Sequence, residues 1–431
     1  MGSIGWEGSF GASAGAVMRR GIYARHRLDL SVADIPFGVL SCGRTWRRER
    51  LEAEILRLCS LEDEGLVCFS VRSGWDLWLG AQGLLAGDEA LVSAVTHPDM
   101  VRIIRGHGLR AVPVDIDPET LAPRRGMLEA ALTPRTRVVL VAHLFGGRMD
   151  LSSVARFARE RGLLLVEDCA QAFQGPEGVG DPAADLSMYS FGTLKTATAL
   201  GGAVLRVQDR EVLRRMREIQ AAYPVQRRRE YLKKLLRVLG LVAVSRPRPY
   251  GLLVQACERF GYDLDVLVNG VVRAFPSREP TETHFRRLRR RPSMPLLAML
   301  SRRLRSFDEV LLARRASAGE RAARRLLDAT LHPGGDSLRR THWLFPVVVP
   351  DPEALILGLR RRGFDASRAT SSIAVVEAPA GYSSPAEASR MMSGVVFLPV
   401  NPDLPPHAFN AMVQLVNDCA VGDAVEDMAR S

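Results

Sequence analysis

The feature that most constrains the fold is an alternation of short apolar runs with helix-length amphipathic stretches between Gly65 and about Val207. The runs are rich in Val, Leu and Ala and are bounded by Gly or charged residues, which is typical of buried strands. They are GLVCFSV, EALVSAV, RAVPVDI, RVVLVAHLF, GLLLVEDC, LSMYSF and GGAVLRV. Strand and helix in alternation predict an α/β fold with a mainly parallel, seven-stranded sheet.

Changes in composition along the chain predict the domain organisation. The expected parts are an N-terminal leader and arm (1–60), a large domain (61–224), a basic helical insertion (225–305), a connecting helix (306–330) and a small C-terminal α+β domain (331–431). The strand-like runs THWLFPVVVPD and GVVFLPV, together with PHAFNAMVQLVNDCA, suggest the small C-terminal layer of strands and helices.

Composition and cysteine spacing exclude several classes of protein. The chain has 431 residues, of which 47% are hydrophobic, and no stretch reaches the ~18 to 20 uninterrupted apolar residues of a membrane-spanning helix. The N-terminus lacks the order of a secretory signal. The six cysteines lie far apart without a CxxC pair, so neither a disulfide scaffold nor a metal site is expected. These features predict a cytoplasmic protein.

The net charge of +11 is concentrated in residues 225–305. This segment has 19 Lys plus Arg against 6 Asp plus Glu, a net charge of +13. Basic residues flank apolar stretches twice in it, first in RRREYLKKLLRVLGLVAVSRPRPYGLLVQ and again near 286–305, a composition found in helices that lie on anionic membranes. The alternative is a solvated face. Nucleic-acid binding is not favoured, because a base-reading motif and suitably placed aromatic residues are missing.

Two residues at predicted strand ends point to a specific chemistry. Asp168 ends the run GLLLVEDC and Lys195 follows LSMYSF, and ligands of open α/β sheets bind outside the carboxyl ends of the strands. A carboxylate can hold a pyridine nitrogen in its protonated form, and a lysine that loses its proton in a dry site can form a Schiff base with an aldehyde. Together these residues predict pyridoxal 5'-phosphate as the cofactor.

Further residues are expected to hold this cofactor. Ser73, Gly74 and Trp75 lie where a strand turns into a helix, so their backbone N–H groups are candidates for binding the phosphate. His97 ends another predicted strand and offers a ring for stacking. Ser190 offers a hydroxyl five residues before Lys195.

At these positions the chain resembles the DegT/StrS-type aminotransferases, pyridoxal-phosphate enzymes of the aspartate-aminotransferase fold that aminate nucleotide-linked keto sugars. The resemblance covers roughly Leu40 to Val421 apart from the insertion. Its motifs, in chain order, are SGWDLWLGAQGLLAGDEALVSAVTHPD, VDIDPETL, TPRTRVVLVAHLFGG, VEDCAQAF, YSFGTLKTATALGGAVL and GVVFLPVNPDLPPHAF. It implies fold type I of the pyridoxal-phosphate-dependent transferases and a homodimer.

The resemblance also implies roles for individual residues. Lys195 is the lysine that binds the cofactor covalently, Asp168 is the partner of the pyridine nitrogen, and Gln171 approaches the ring and its phenolic oxygen. The phosphate is held by Gly74, Trp75 and Ser190, and the ring stacks on His97. The presence of Lys195 indicates a transaminase, because the dehydratase branch has histidine at that position.

The chain departs from the family pattern at three places. Trp75 stands where the family usually has Thr, and His97 where it usually has Phe, Tyr or Trp. An asparagine that reaches the phosphate of the neighbouring subunit is missing from RRRPSMPLLAML, where Arg291 and Ser293 are the candidate substitutes. His143 also ends a predicted strand, and either a role in the crevice or a structural hydrogen bond is consistent with that position.

The sequence therefore predicts an aminotransferase that moves an amino group, with glutamate as the expected donor, to a keto sugar or a related biosynthetic carbonyl compound. One alternative is a catalytically weakened relative that binds the cofactor and has a regulatory or surface-binding role. Another is an aminotransferase that acts on a lipid-linked substrate at the membrane surface through residues 225–305.

Overall fold

The structure is a computed structural model that describes residues 22–25, 28–31, 33–244, 259, 281–328, 330–368 and 373–421. Residues 1–21, 26, 27 and 32 of the predicted N-terminal leader and arm lie outside the described residues. The same holds for 245–258 and 260–280 of the predicted basic insertion, which include the end of the run RRREYLKKLLRVLGLVAVSRPRPYGLLVQ.

A seven-stranded sheet forms the centre of the molecule. Its strands are β1 (Gly65–Cys68), β2 (Glu89–Ser93), β4 (Arg110–Val114), β5 (Thr136–Ala142), β7 (Leu164–Asp168), β8 (Leu186–Ser190) and β9 (Ala203–Val207). Shorter strands are β3 (Val95–Thr96), β6 (Gly147–Arg148), β10 (Arg339–Arg340), β11 (Phe345–Val348), β12 (Ala374–Val375) and β13 (Val395–Leu398). The order in the large sheet is β1-β9-β8-β7-β5-β2-β4.

Most neighbours in this sheet are parallel. The pairs β2–β4, β2–β5, β5–β7 and β7–β8 are parallel, whereas β9 runs antiparallel to both β8 and β1. Nearly all residues of these strands are buried, as expected where helices cover both faces of a sheet. The prediction of a mainly parallel, seven-stranded α/β sheet is confirmed.

Most of the helices pack around the large sheet, and the last ones belong to the C-terminal layer. Those within the described residues are α1 (Asp34–Gly43), α2 (Arg48–Leu58), α3 (Val71–Gln82), α4 (Pro98–Gly106), α5 (Arg125–Ala131), α6 (Ser152–Arg161), α7 (Arg210–Ala221), α8 (Arg228–Val244), α9 (Glu282–Leu288), α10 (Met294–Arg305), α11 (Glu309–Ala323), α12 (Pro352–Arg361), α13 (Ala386–Gly394) and α14 (Pro406–Val421). None of them is long and apolar enough to cross a membrane.

The C-terminal layer has its own core and is joined to the large sheet. Strands β11 and β13 pair in antiparallel fashion, and α12 and α14 pack together beside them. Phe345, Leu359 and Met412 are buried in this core. Strand β12 pairs with β3, so Ala374 lies opposite Thr96 near the carboxyl edge of the large sheet.

The described C-terminal end of the predicted insertion lies in the core of the large domain. Helix α10 packs against α1 and α2, and Leu297, Met299 and Leu300 are completely buried. The guanidinium of Arg48 donates to the carbonyl of Pro292 at 2.7 Å, which fixes the entry into this helix. Residues 294–305 are thus part of the main packing unit, and the domain boundaries themselves stay predictions.

Candidate active site

Several of the predicted site residues lie at the carboxyl edge of the sheet. Asp168 ends β7 and pairs in register with Met188 of β8. Ser190 ends β8 and stands opposite Ala203 of β9, which itself pairs with Cys68 at the end of β1. Strand pairing therefore aligns Asp168, Ser190 and the entry into α3 along one edge, where open α/β sheets bind their ligands.

Asp168 is a buried carboxylate, with 7% of its surface exposed. Its Oδ1 accepts a hydrogen bond from the Ala170 N–H at 2.9 Å. Burial raises the pKa of this carboxyl, while the hydrogen bond from the Ala170 amide and the positive charge of Lys195 act in the opposite direction. Because β7 and β8 are parallel, Asp168 and the start of the loop that carries Lys195 lie at the same edge of the sheet.

Lys195 rests on an aromatic ring from the C-terminal part of the chain. Its Nζ lies 4.2 Å from the centroid of the Trp343 ring, a cation–π distance. The Trp343 indole N–H donates to the carbonyl of Leu194 at 2.9 Å, which ties the ring to the residue before the lysine. No local sequence pattern predicts this contact, because Trp343 is recognisable only as part of the apolar strand-like run THWLFPVVVPD.

The loop that carries Lys195 has an unusual backbone and many internal bonds. Ala197 and Leu200 have φ angles of 54° and 62°, in the left-handed region that non-glycine residues rarely occupy. The Thr198 hydroxyl donates to the Gly192 carbonyl at 2.6 Å, and the Ala197 N–H donates to Asp29 Oδ2 at 2.6 Å. These bonds hold the strained backbone and thereby fix the position of the lysine.

Gln171 is used to support a neighbouring loop. Its side-chain oxygen accepts a hydrogen bond from the Phe145 N–H at 3.0 Å, and Phe145 has a φ of 59°. Gln171 therefore stabilises a strained turn after β5. Its contact with a cofactor ring stays a prediction.

The helix that was expected to bind phosphate begins earlier than the sequence indicates. Ser70 is the N-cap of α3, and its side chain accepts from the Ser73 N–H. The Gly74 N–H donates to the Ser70 carbonyl at 3.0 Å inside the helix, so direct contact of this amide with an anion requires that bond to open. The first-turn amides without a helical partner are those of Val71 and Arg72.

The side chains of Ser73 and Trp75 are engaged in the core. The Ser73 hydroxyl donates to the Leu288 carbonyl at 2.7 Å. Trp75 is completely buried, stacks on Trp78 at 5.5 Å and donates its indole N–H to the Met100 carbonyl. Trp75 in place of a threonine thus contributes packing, and the phosphate-binding roles of this segment stay predictions.

His97 caps helix α4. Its Nδ1 accepts a hydrogen bond from the Asp99 N–H at 3.1 Å, and its side chain is 40% exposed. Arg72 binds the buried Asp99 at 2.7 Å, so this cap joins the starts of α3 and α4. Stacking of His97 on a cofactor is not tested by these contacts.

His143 has a structural pairing. It forms a completely buried hydrogen-bonded pair with Glu167, whose Oε2 is 3.0 Å from His143 Nε2, and its Nδ1 accepts from the Met149 N–H. Burial opposes the charge of Glu167, but the hydrogen bond from His143 and the charge of Arg148 lower the pKa of Glu167 to about 2. The ligand atoms of His143, Glu167 and Cys169 lie within 4.8 Å of one another. Because both imidazole nitrogens are already engaged, this group is a buried polar network.

The candidate substitutes for the missing asparagine lie near each other. The Ser293 hydroxyl donates to Gln226 Oε1 at 2.8 Å, and the Arg291 carbonyl accepts from the Gln226 N–H at 3.0 Å. Both residues therefore fix the segments on either side of α8 and α9. Their contact with a neighbouring subunit stays a prediction.

A cavity of about 450 Å³ opens beside Lys195. It is bounded by the Lys195 loop, by residues 25, 28–31 and 34, by the junction of α10 and α11, and by residues 342–343 and 400–403. Lys195 and Trp343 lie in its wall together with Arg315 of α11. The cavity has the size of a small-molecule site.

Comparisons with known proteins agree with this architecture. The sequence model of the DegT/DnrJ/EryC1/StrS aminotransferase family matches residues 40–241. The chain is 32% identical over 174 residues to the UDP-N-acetyl-3-dehydro-α-D-glucosamine 3-aminotransferase of Acidithiobacillus ferrooxidans, covering 39% of this chain and 47% of the relative. It is 36% identical over 156 residues to the L-glutamine:2-deoxy-scyllo-inosose aminotransferase of Streptomyces fradiae, covering 35% and 36%.

The fold is also found in solved structures. The aminotransferase TlmJ from Streptoalloteichus hindustanus superposes with a TM-score of 0.65 at 20% identity, covering 93% of this chain and 100% of that one. The sequence matches are shorter, and the chain aligns with less than half the length of these two curated relatives. Residues 40–241 are thus similar in sequence to the DegT/DnrJ/EryC1/StrS aminotransferase family, and over the rest of the chain the likeness is one of fold.

Proposed function

We propose that the protein is a pyridoxal-phosphate-dependent aminotransferase that transfers an amino group to the carbonyl of a sugar-like biosynthetic intermediate. The observation that carries the proposal is that the buried Asp168 ends β7 while Lys195 lies in the loop that follows the parallel neighbour β8. The match of residues 40–241 to the DegT/DnrJ/EryC1/StrS aminotransferase family model supports it independently.

The residues at this edge fit the cofactor. A protonated pyridine nitrogen requires a carboxylate, and the burial of Asp168 leaves its negative charge poorly solvated, so a cationic partner would be favourable. Ser190 and the first-turn amides of α3 lie on the same edge and suit a phosphate, with Arg72 as an additional cation. When bound, the cofactor supplies an electron sink for the bonds at the substrate's α-carbon.

The chain's own residues have distinct tasks in this reaction. Lys195 Nζ would hold the cofactor and, once free, would accept and return the proton at the donor's α-carbon. The Asp168 carboxylate would hold a proton at the cofactor's ring nitrogen. Trp343 and the bonded loop around Ala197 hold the lysine in place, which limits the motion that a proton-transferring group can make.

The finer parts of the proposal concern substrates and assembly. Glutamate is the proposed donor, and a keto sugar or related carbonyl compound is the proposed acceptor. We also propose a homodimer and peripheral contact of the 225–305 segment with anionic surfaces, supported by the +13 charge of that segment.

Removal of Lys195 tests the proposal. The wild-type protein with pyridoxal phosphate is expected to absorb near ~410 to 430 nm and to lose this band when an amino donor is added. Lys195→Ala should abolish both the band and the transfer while leaving the fold intact. Lys234→Ala is a matched control, because burial and the charge of Arg72 lower the pKa of Lys234 to about 8, so it is a second lysine suited to reaction with an aldehyde. A band that survives Lys195→Ala, or that vanishes in Lys234→Ala, contradicts the proposal.

A further inference from the structure

The cavity beside Lys195 is rich in charge, and two of the four arginines that line it, Arg302 and Arg303, form ion pairs with carboxylates. Arg302 binds Asp34 at 2.8 Å, and Arg303 binds both Asp34 at 2.9 Å and Asp29 at 2.8 Å. Asp29 also accepts from the Ala197 N–H of the lysine loop. This network lines the wall built from the N-terminal segment and the end of α10, and it is largely neutralised.

Arg315 differs from these arginines. It projects from α11 into the same cavity and is half-buried. Its only hydrogen bond within the described part of the chain is a long one, 3.4 Å from Nη1 to the Thr196 hydroxyl, and no described carboxylate lies within ion-pair distance. Burial lowers the pKa of this guanidinium, and only the more distant Asp29 acts in the opposite direction. A half-buried cation with one neutral contact is costly unless a ligand completes its bonding.

The position of Arg315 connects it to the reaction. Thr196 directly follows Lys195, so the guanidinium borders the residue next to the proposed catalytic lysine. The cavity volume of about 450 Å³ accommodates a small organic substrate. We infer that Arg315 binds the carboxylate of the amino donor and thereby presents the donor's nitrogen to the site. This inference rests on the proposed aminotransferase function.

Two features favour a carboxylate over a phosphate. An amino acid has only two bonds between its amino nitrogen and its carboxylate carbon, which suits an arginine that borders the residue beside Lys195. A nucleotide-linked sugar places its phosphates a whole sugar ring farther away. In addition, the planar fork of a guanidinium matches the two oxygens of one carboxylate, and a single charge balances a single arginine.

A binding assay that requires no turnover tests the inference. Propionate and its uncharged isostere propionamide are titrated into the full-length protein, with and without pyridoxal phosphate, by ligand-observed NMR. The wild type is expected to bind propionate at least about tenfold more tightly than propionamide, the effect of a charge-assisted hydrogen bond. Arg315→Gln should remove this preference. Arg321→Gln, an exposed arginine on the same helix, should keep it.

The outcomes separate this inference from the proposed function. A wild type without preference, or an Arg315→Gln variant that keeps it, overturns the inference even if the Lys195 band responds to amino donors. Inorganic phosphate is then titrated as a competitor. If phosphate binds the site more tightly than propionate does, the choice of a carboxylate as the ligand is overturned. Conversely, the wild type could bind propionate through Arg315 and yet show no absorbance band with pyridoxal phosphate. That result would support the anion site at Arg315 and contradict the proposed aminotransferase function.

A second variant guards against misfolding, which circular dichroism would detect. Arg315→Lys keeps the charge but loses the planar fork, so a reduced preference for propionate is expected. An unchanged preference in a folded Arg315→Lys protein contradicts a bidentate contact. In the loaded enzyme, Arg315→Gln should raise the donor concentration needed for half-maximal loss of the absorbance band by about tenfold or more.

Discussion

Burial and the proposed function oppose each other at Asp168. The carboxyl lies in the core, and burial raises its pKa although the charge of Lys195 favours the ionised form. A group whose pKa is raised in the folded state stabilises the fold at low pH and loses that contribution as pH rises through the raised value. The protein therefore retains a carboxylate at some cost in stability, and a bound cation is the natural compensation.

Asp168→Asn should raise the stability of the cofactor-free protein and lower the transamination rate. In cofactor-free protein the variant is expected to unfold at a higher temperature than the wild type, and the difference should grow as pH rises above the ordinary aspartate value of 3.8. Transamination should fall by at least ~10²-fold, because the amide cannot hold the pyridine nitrogen protonated. Thermal unfolding across a pH series and single-turnover rates check the two effects. Wild-type turnover in the variant would identify Asp168 as a structural residue.

Helix α11 joins the cavity to the C-terminal layer. It carries Arg315 at the cavity, and Gly319 one turn later faces the buried His342, which also lines the cavity. A Cβ built on Gly319 would lie 2.1 Å from His342 Cγ, closer than any real contact. The absence of a side chain at Gly319 is thus what allows α11 to approach this histidine.

Gly319→Ala should consequently destabilise the protein although alanine favours helices. Displacement of His342 would break its 3.1 Å contact with Glu320, and overpacking of this kind costs about 1–3 kcal/mol. Gly240 of α8 is the matched control, because a Cβ there has nothing within 4 Å, and Gly240→Ala should stabilise by about 0.5–1 kcal/mol. Urea unfolding measures both changes. Equal effects of the two substitutions would show that space at Gly319 is not limiting.

The positive charge of the molecule is concentrated in residues 225–305. Helix α8, which is part of this segment, has one buried apolar face and one exposed face. Leu235 and Val238 of α8 are buried against the core, whereas Leu236 and Leu239 are 52% and 41% exposed. Lys233 and Arg237 are exposed on the same helix. Exposed leucines beside cations are suited to the surface of an anionic membrane.

Binding to anionic vesicles tests this interpretation. The full-length protein is expected to co-sediment with vesicles rich in phosphatidylserine at low salt and to dissociate at high salt, because each basic residue near the surface contributes only ~1 kcal/mol and is screened. Leu236→Gln combined with Leu239→Gln should weaken the binding while leaving the core of α8 intact. If the folded wild-type protein does not bind these vesicles at low salt, residues 225–305 are a solvent-exposed structural segment and not a membrane-binding one.

Assembly is the second property of the whole molecule. The resemblance to the DegT/StrS-type aminotransferases implies a homodimer, which the structure of a single chain does not test. We expect a two-fold homodimer, the commonest closed assembly. Sedimentation at micromolar concentration should give twice the mass of 47.4 kDa. A fully active monomer would contradict this expectation.

The sequence by itself determined the sheet and the residues at its carboxyl edge. Strand patterns depend on local periodicity, and Asp168 and Ser190 are recognisable because each ends an apolar run that only a buried strand explains. The start of α3 was misplaced because the cap at Ser70 depends on one local hydrogen bond that several nearby polar residues could have made.

Only the tertiary structure decided what surrounds Lys195. Trp343 reaches the lysine loop across 149 positions of the chain, and Arg315 reaches Thr196 across 119. Contacts at such separations leave no periodic signal, because they arise from the way two layers pack after their elements have formed. The same holds for α10, whose basic sequence resembles a surface helix although its leucines fill the core. Local chemistry thus specifies the elements, whereas packing between distant segments specifies the cavity.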